Sequence, residues 1–497
     1  MTNTLYDALF APHAQNQAAF LECDDGSVVS YAAFVRRAAQ IANVLTDAGV
    51  AAGDRIVIQA PKLADTIALY GAAVQTGAVY LPLNTAYTEA ELSYFIGDAS
   101  PALVICDAKD ATAVSRLCAD QNIKVMTLDI DRMGSLSVAA NTAPDTFNTV
   151  DCGPDDLAAL LYTSGTTGRS KGAMLSHKNL LSNAKVLTEH WQITASDRLI
   201  HALPIFHTHG LFVAMNTCLI AGASIRFIDR FDIDLILSEI PQSTMLMGVP
   251  TFYTRLLSDA RFTRELCAGM RLFVSGSAPL LAETHTAFET RTGQKILERY
   301  GMTETNMITS NPFDGPRVAG TVGYPLAGTQ VVITDNGTPV PQGDIGVIEV
   351  KGDNVFQGYW NMPEKTREEL RSNGFFITGD LGTMGADGRI SIVGREKDMI
   401  ISGGYNIYPK EIEDVLNDIK GISESAVFGV AHPDFGEAVI AAVVLENQSL
   451  TADAIAVHIE LLLANFKQPR QFIMLDALPR NTMGKVQKNV LRYEYAP

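Results

Sequence analysis

Residues 162–172 read Tyr162-Thr163-Ser164-Gly165-Thr166-Thr167-Gly168-Arg169-Ser170-Lys171-Gly172, directly after the apolar run LAALL at 157–161. Glycines let a backbone turn several N–H groups toward one point, and Ser and Thr hydroxyls add donors there. Lys171 places a positive charge at the end of the loop. The arrangement suits the phosphates of a nucleotide. A mobile Ser/Gly linker is the plain alternative. It is disfavoured by the buried-strand pattern before the loop and the apolar residues 173–175 after it. A Walker A loop requires G-x-x-x-x-G-K-[ST], whereas here Ser170 precedes the lysine and Gly172 follows it. Nucleotide binding survives this comparison, but an ordinary P-loop ATPase or kinase does not.

The chain has 497 residues, which favours two or three domains over a single core. Hydrophobic residues make up 47% and charged residues 19%, a soluble globular composition without any run of 18 apolar residues. The first residues lack a basic stretch followed by an apolar one, so secretion is not expected. Six scattered cysteines without a CxxC pair read as core residues in a reducing cytoplasm. A net charge of −17 argues against nucleic acid or an anionic membrane as partner, and requires a local basic site for any anionic substrate.

Working outward from the loop, residues 55–60, 78–81 and 102–106 read as buried strands, and 63–74 as a helix. Thr88 and Glu91 form a capping box ahead of Leu92, Phe95 and Ile96 on one helical face. Strands alternating with helices predict parallel α/β sheets. Residues 328–350 change character: short alternating strands around Asp335-Asn336-Gly337 predict a β-hairpin and a small distorted β module. Past residue 394 about a hundred residues carry elements of their own, enough for a small α+β domain. The expected division is 1–394, holding the nucleotide and substrate pockets, and 395–497, a mobile C-terminal domain.

Further segments share the character of the loop. They are PIFHTHG (204–210), RLFVSGSAPLL (271–281), ERYGMTET (298–305), FFITGD (375–380), GREKDMIISGGYNIYP (394–409) and PRNTMGKVQKN (479–489). Singly they are weak, because a histidine near an apolar run is usually a satisfied core residue and a strand-ending Asp is usually a cap. Their order and spacing over essentially the whole chain resemble the acyl-adenylate-forming superfamily of acyl-CoA synthetases, luciferases and peptide-synthetase adenylation domains. Around 248–257, 271–280 and 298–306 the sequence is similar to the malonyl-CoA synthetases within it. Ser170 departs from the usual loop proline, which bears on loop rigidity and leaves the phosphate donors intact.

The resemblance implies a two-step ligase: ATP and a carboxylate give acyl-AMP and pyrophosphate, and coenzyme A then displaces AMP. It implies that Thr163, Ser164, Gly165, Thr166, Thr167, Gly168 and Lys171 hold the phosphates. Thr303 would touch the α-phosphate and Glu304 would ligate Mg²⁺, a cation suited to oxygen ligands. Gly276, Ser277, Ala278, Glu298, Arg299, Tyr300, Gly301 and Met302 would frame the nucleotide, and Asp380 and Arg395 the ribose. Lys485 would be the catalytic lysine, bridging the attacking carboxylate and the α-phosphate; a lysine in such a turn is otherwise a solvated charge. Lys397 would be the hinge pivot, with Ser402, Gly403 and Gly404 lining a tunnel for coenzyme A. Reachable by the mobile domain, Lys485 is also expected to be reachable by a lysine acetyltransferase, and acetylation would remove its charge.

Malonate is the expected acid, with methylmalonate or another short or small aryl acid as alternatives. A second carboxylate in a dry pocket needs a fixed cation, and a guanidinium matches it with two parallel donors. Arg255 is the expected partner, with His207, Ser275, Gly276 and Met302 around it. A carrier-protein-loading module is disfavoured by the end of the chain at Pro497. A non-catalytic nucleotide sensor is disfavoured by the retention of Glu304 and Lys485.

Overall fold

The computed structural model describes residues 2–163, 170–402, 405–446, 450–460, 462–481 and 484–496. The expectations for Ser164, Gly165, Thr166, Thr167, Gly168, Gly403 and Gly404 lie outside them. The large N-terminal domain is built on three sheets. A six-stranded sheet runs Lys124–Thr127, Leu103–Cys106, Arg55–Gln59, Val79–Pro82, Leu157–Thr163, Lys171–Ser176, parallel except for its last strand. The β-rich runs of the first third therefore form one parallel sheet. The capping box closes as the sequence indicates, with Thr88 Oγ1 accepting from the Glu91 N–H and the Glu91 carboxylate accepting from the Thr88 N–H. Leu92, Phe95 and Ile96 are buried below it.

A nine-stranded sheet has a parallel centre of Leu297–Met302, Leu272–Ser275, Met245–Gly248, Arg198–His201, Ser224–Phe227 and Ala19–Cys23. Its apolar contacts merge with one face of the first sheet in a continuous core. The third sheet is antiparallel and matches the hairpin reading: Thr334 and Asp335 pair with Pro339 and Thr338. The turn between them has Asn336 at φ +46° and Gly337 at φ +82°, the two positive angles a type I′ turn demands.

The third sheet ends with Ile390–Arg395. After a 3₁₀ turn at Glu396–Asp398 the chain enters a separate small sheet, Tyr405–Ile407, Ile400–Ser402, Gly436–Leu445 and Ile422–His432, with Gln471–Leu475 beside Gly436–Leu445. This C-terminal domain has its own apolar clusters. No described helix is long and apolar enough to cross a membrane.

Candidate active site

The parallel strands of the large sheet end together at His201, Gly248 and Ser275, with Gly248 opposite Ser275 and Ser275 opposite Glu298. Carboxyl ends of parallel strands are where α/β sheets open a crevice. Thr303 and Glu304 occupy the turn between Leu297–Met302 and Asn306–Ser310 on the same rim. Thr163 and Lys171 pair across the hairpin that carries the loop read as phosphate-binding.

At this end Lys171 is already engaged. Its Nζ lies 3.1 and 3.3 Å from the two Glu369 oxygens and 4.1 Å from the centre of the Tyr359 ring. The Tyr359 hydroxyl is 2.5 Å from Glu369 Oε2 and 3.1 Å from Glu304 Oε1. Glu304 is buried, and burial raises its carboxyl pKa against the opposing charge of Lys171. A dry carboxylate with a phenol as its direct partner fits a hard cation better than a structural ion pair does. Neither Glu369 nor Tyr359 was visible as a site residue in the sequence. Glu369 closes the acidic helix Pro363–Glu369, which reads as a solvated face.

At the ribose end Asp380 differs from the strand-ending cap the sequence suggested. It lies inside the strand Phe376–Met384, directly opposite Arg395. Arg395 Nε is 2.8 Å from Asp380 Oδ1, and the Tyr300 hydroxyl donates to Oδ2 at 2.5 Å. Glu298 shares Tyr300's side of the strand by alternation. It is buried with Oε1 lacking a partner, and burial pushes its pKa up to about 8.

Arg299 points the other way, to the opposite side of the strand from Glu298 and Tyr300. It is 4% exposed, and its Nε and Nη2 have no hydrogen-bond partner. Gly276 makes the room: a Cβ there would lie 2.3 Å from Arg299 Cζ. Burial lowers its pKa to about 9, so the guanidinium is charged at neutral pH. Its charge reaches His209 and Lys485. Buried, unpartnered Ser275 Oγ, His207 Nε2 and His209 Nε2 belong to the same region, with His209 Nδ1 3.2 Å from Ser277 Oγ. Burial and then the charge of Lys485 lower the His207 pKa to about 3, so this ring is neutral. Arg255 does not meet the condition that suggested it. It is exposed, with its guanidinium 5.5 Å from the Phe231 ring, rather than enclosed in a dry pocket. Met302, Gly301, Ala278 and Thr303 are half-buried along the rim.

The C-terminal domain closes this crevice. Lys485 reaches solvent in the cleft, yet the protein around it displaces enough water to lower its pKa. The Arg395 charge adds to that effect, and Asp380 and Glu304 oppose it. Its turn meets the large domain where a Cβ on Gly484 would lie 3.8 Å from Thr251 Oγ1. Lys397 is exposed in the 3₁₀ turn between the domains, and partial loss of water around its ammonium lowers its pKa. Ser402 is buried at a strand end opposite Tyr405 and Gly436.

The AMP-binding enzyme family matches residues 10–360, and the AMP-binding enzyme C-terminal domain matches residues 411–485. The chain belongs to the AMP-binding enzyme family. Among solved AMP-binding enzymes it is similar to ATP-bound MatB from Rhodopseudomonas palustris, at 53% identity over 100% of this chain and 99% of that one, with a TM-score of 0.98. The apo form of the same enzyme gives 0.87 at the same identity and coverage. The small domain thus sits in the arrangement of the ATP-bound form, which accounts for Lys485 facing the crevice. A malonate–CoA ligase from Arabidopsis thaliana is 34% identical over 88% of this chain and 78% of that protein. A feruloyl-CoA synthase from an Amycolatopsis species is 34% identical over 95% and 94%.

Proposed function

We propose that this AMP-binding enzyme ligates malonate to coenzyme A with ATP, through malonyl-AMP, and that Arg299 pairs with the carboxylate that does not react. The carrying observation is a fully enclosed guanidinium with unpartnered donors, beside Ser275 and two neutral histidines. A buried, unpaired cation is costly, and a carboxylate delivered by the substrate offsets that cost with two parallel acceptors. A ferulate-sized aryl acid brings no such charge. Similarity to a malonate–CoA ligase supports the same reading.

In the first step one malonate oxygen attacks the α-phosphorus and pyrophosphate leaves. Two anions must approach, so positive charge aimed at the developing transition state is the main requirement. Lys485 supplies it from the C-terminal domain, Lys171 holds the terminal phosphates, and Asp380 with Arg395 takes the ribose. Glu304 would hold Mg²⁺, which supplies charge to the phosphates. In the second step the coenzyme A thiol attacks the acyl carbon and AMP leaves, with Ser402 and its neighbours brought in by rotation about Lys397.

A panel of acetate, propionate, malonate, methylmalonate and ferulate, assayed with ATP and coenzyme A, tests the reading. The wild type is expected to prefer malonate. Arg299→Met should lower malonate efficiency by a few hundredfold or more, from the ~3–5 kcal/mol typical of breaking a buried charge pair. Acetate and propionate should be retained, and Arg255→Ala should change neither. Equal loss of malonate and acetate in Arg299→Met would overturn the pairing, and a wild type indifferent to malonate would overturn the substrate.

A further inference from the structure

Lys485 works from a turn, and an ammonium on a flexible four-carbon stem is only as well placed as the backbone beneath it. Several polar contacts fix that backbone. The Asn481 N–H donates to the Lys485 carbonyl at 2.9 Å, the Lys485 N–H to Asn481 Oδ1 at 3.0 Å, and the Gly484 N–H to the Asn481 carbonyl at 2.9 Å. Arg480 and Val486 pair as an isolated antiparallel bridge that closes the base of the turn. From that base the Arg480 side chain reaches over the turn. Its Nη1 donates to the Gly484 carbonyl at 2.6 Å, one residue before the lysine, and its Nη2 is paired with Glu424. Glu424 lies on Ile422–His432, a strand of the small sheet that pairs along its length with Gly436–Leu445.

We infer that Arg480, held by Glu424, is a positioning residue for the adenylate-forming step: it clamps the Gly484 carbonyl and so sets the direction in which Lys485 leaves the turn. Two properties of the contact support this. Arg480, Glu424 and Gly484 all lie in the C-terminal domain, so the clamp travels with it and delivers a preformed turn to the crevice. Gly484 is at φ +75°, a conformation with low intrinsic stiffness for glycine, so the turn depends on outside contacts to hold one shape. A guanidinium with one nitrogen on a carboxylate and the other on a carbonyl supplies such a contact in fixed geometry, which a single ammonium does not.

This inference rests on the reading of Lys485 as the adenylation lysine, and the experiment separates the two. Pyrophosphate release with ATP and the best acid of the panel measures the first half-reaction. Thioester formation from the preformed acyl-AMP measures the second. Lys485→Ala, Arg480→Met, Arg480→Lys and Glu424→Gln are compared in the full-length chain. Arg480→Met should lower the turnover of the first half by about a hundredfold, the scale of an ångström-level misplacement, with KM for ATP and the second half unchanged. Arg480→Lys should recover part of that loss. Glu424→Gln keeps the arginine and is expected to fold normally, with a smaller loss confined to the same half. Equal loss in both half-reactions for Arg480→Met or Glu424→Gln, or an unimpaired first half, would overturn the clamp. An active Lys485→Ala enzyme would instead overturn the role given to the lysine itself.

Discussion

A lysine that bridges two anions is useful only while it is charged, and Lys485 sits where charge is harder to keep. Surrounding protein and Arg395 lower its pKa from the usual 10.5, so it loses its proton at a lower pH than an exposed lysine does. The adenylation rate should therefore be full while Lys485 is protonated and should decline as pH rises through that lowered value. Lys485→Ala should abolish pyrophosphate release and leave acyl transfer from preformed adenylate largely intact. Loss of both halves together would assign the residue to structure. Glu298 poses the converse case. Folded, it keeps its proton up to about pH 8, against the usual 4.5. Its burial is free of charge below about pH 4.5, and costs stability progressively as pH climbs from there through about 8. Glu298→Gln should consequently melt like the wild type in acid and at a higher temperature than the wild type at pH 8.5. Parallel melting curves across that range would show the carboxyl is ionised throughout.

At the scale of elements, the hairpin of Leu157–Thr163 and Lys171–Ser176 meets the helix Pro363–Glu369 through one ion pair. If Lys171 holds the phosphates as proposed, triphosphate binding draws it away from Glu369 and the Tyr359 ring. Lys171→Ala should raise KM for MgATP, measured from initial rates, without touching acyl transfer. Stability should move by less than ~1 kcal/mol, the range of partly exposed pairs, because Glu369 keeps Lys365 at 3.0 Å and the Tyr359 hydroxyl. An unchanged ATP dependence would remove Lys171 from the phosphate site. The capping box and the Asn336-Gly337 turn were legible in advance because each depends on neighbours only a few residues away. Glu369 was not legible, since its meaning comes from a lysine 198 residues earlier in the chain.

Across the whole molecule, the proposed function assigns the two half-reactions to two arrangements of the small domain, of which the structure holds the one with Lys485 toward the crevice. The proposed rotation passes through the turn Glu396–Asp398. Arg395, just before it, is extended at φ −94° and ψ 135°, the conformation proline prefers in its predecessor. Glu396 is the first residue of the turn, where proline is tolerated. Glu396→Pro should thus preserve the present arrangement and stiffen the joint next to Lys397. Adenylation should continue while thioester formation slows, with the acyl-AMP accumulating in single-turnover experiments. Equal rates in both halves would place the pivot elsewhere.

By itself the sequence determined the parallel α/β architecture, the β module, the small terminal domain and the resemblance to the adenylate-forming family. These follow from local periodicity, turn chemistry and the spacing of short motifs, all of which are written along the chain. The choice of the arginine proposed to meet the substrate rests on tertiary structure. Strand alternation places Arg299 opposite Glu298 and Tyr300, but only the packing of the strand against Gly276 and the histidine segment makes that side a dry pocket. Arg255 carries the same charge on an exposed helix face. Burial, and with it the value of a charge, is a property of what folds over a residue from elsewhere in the chain.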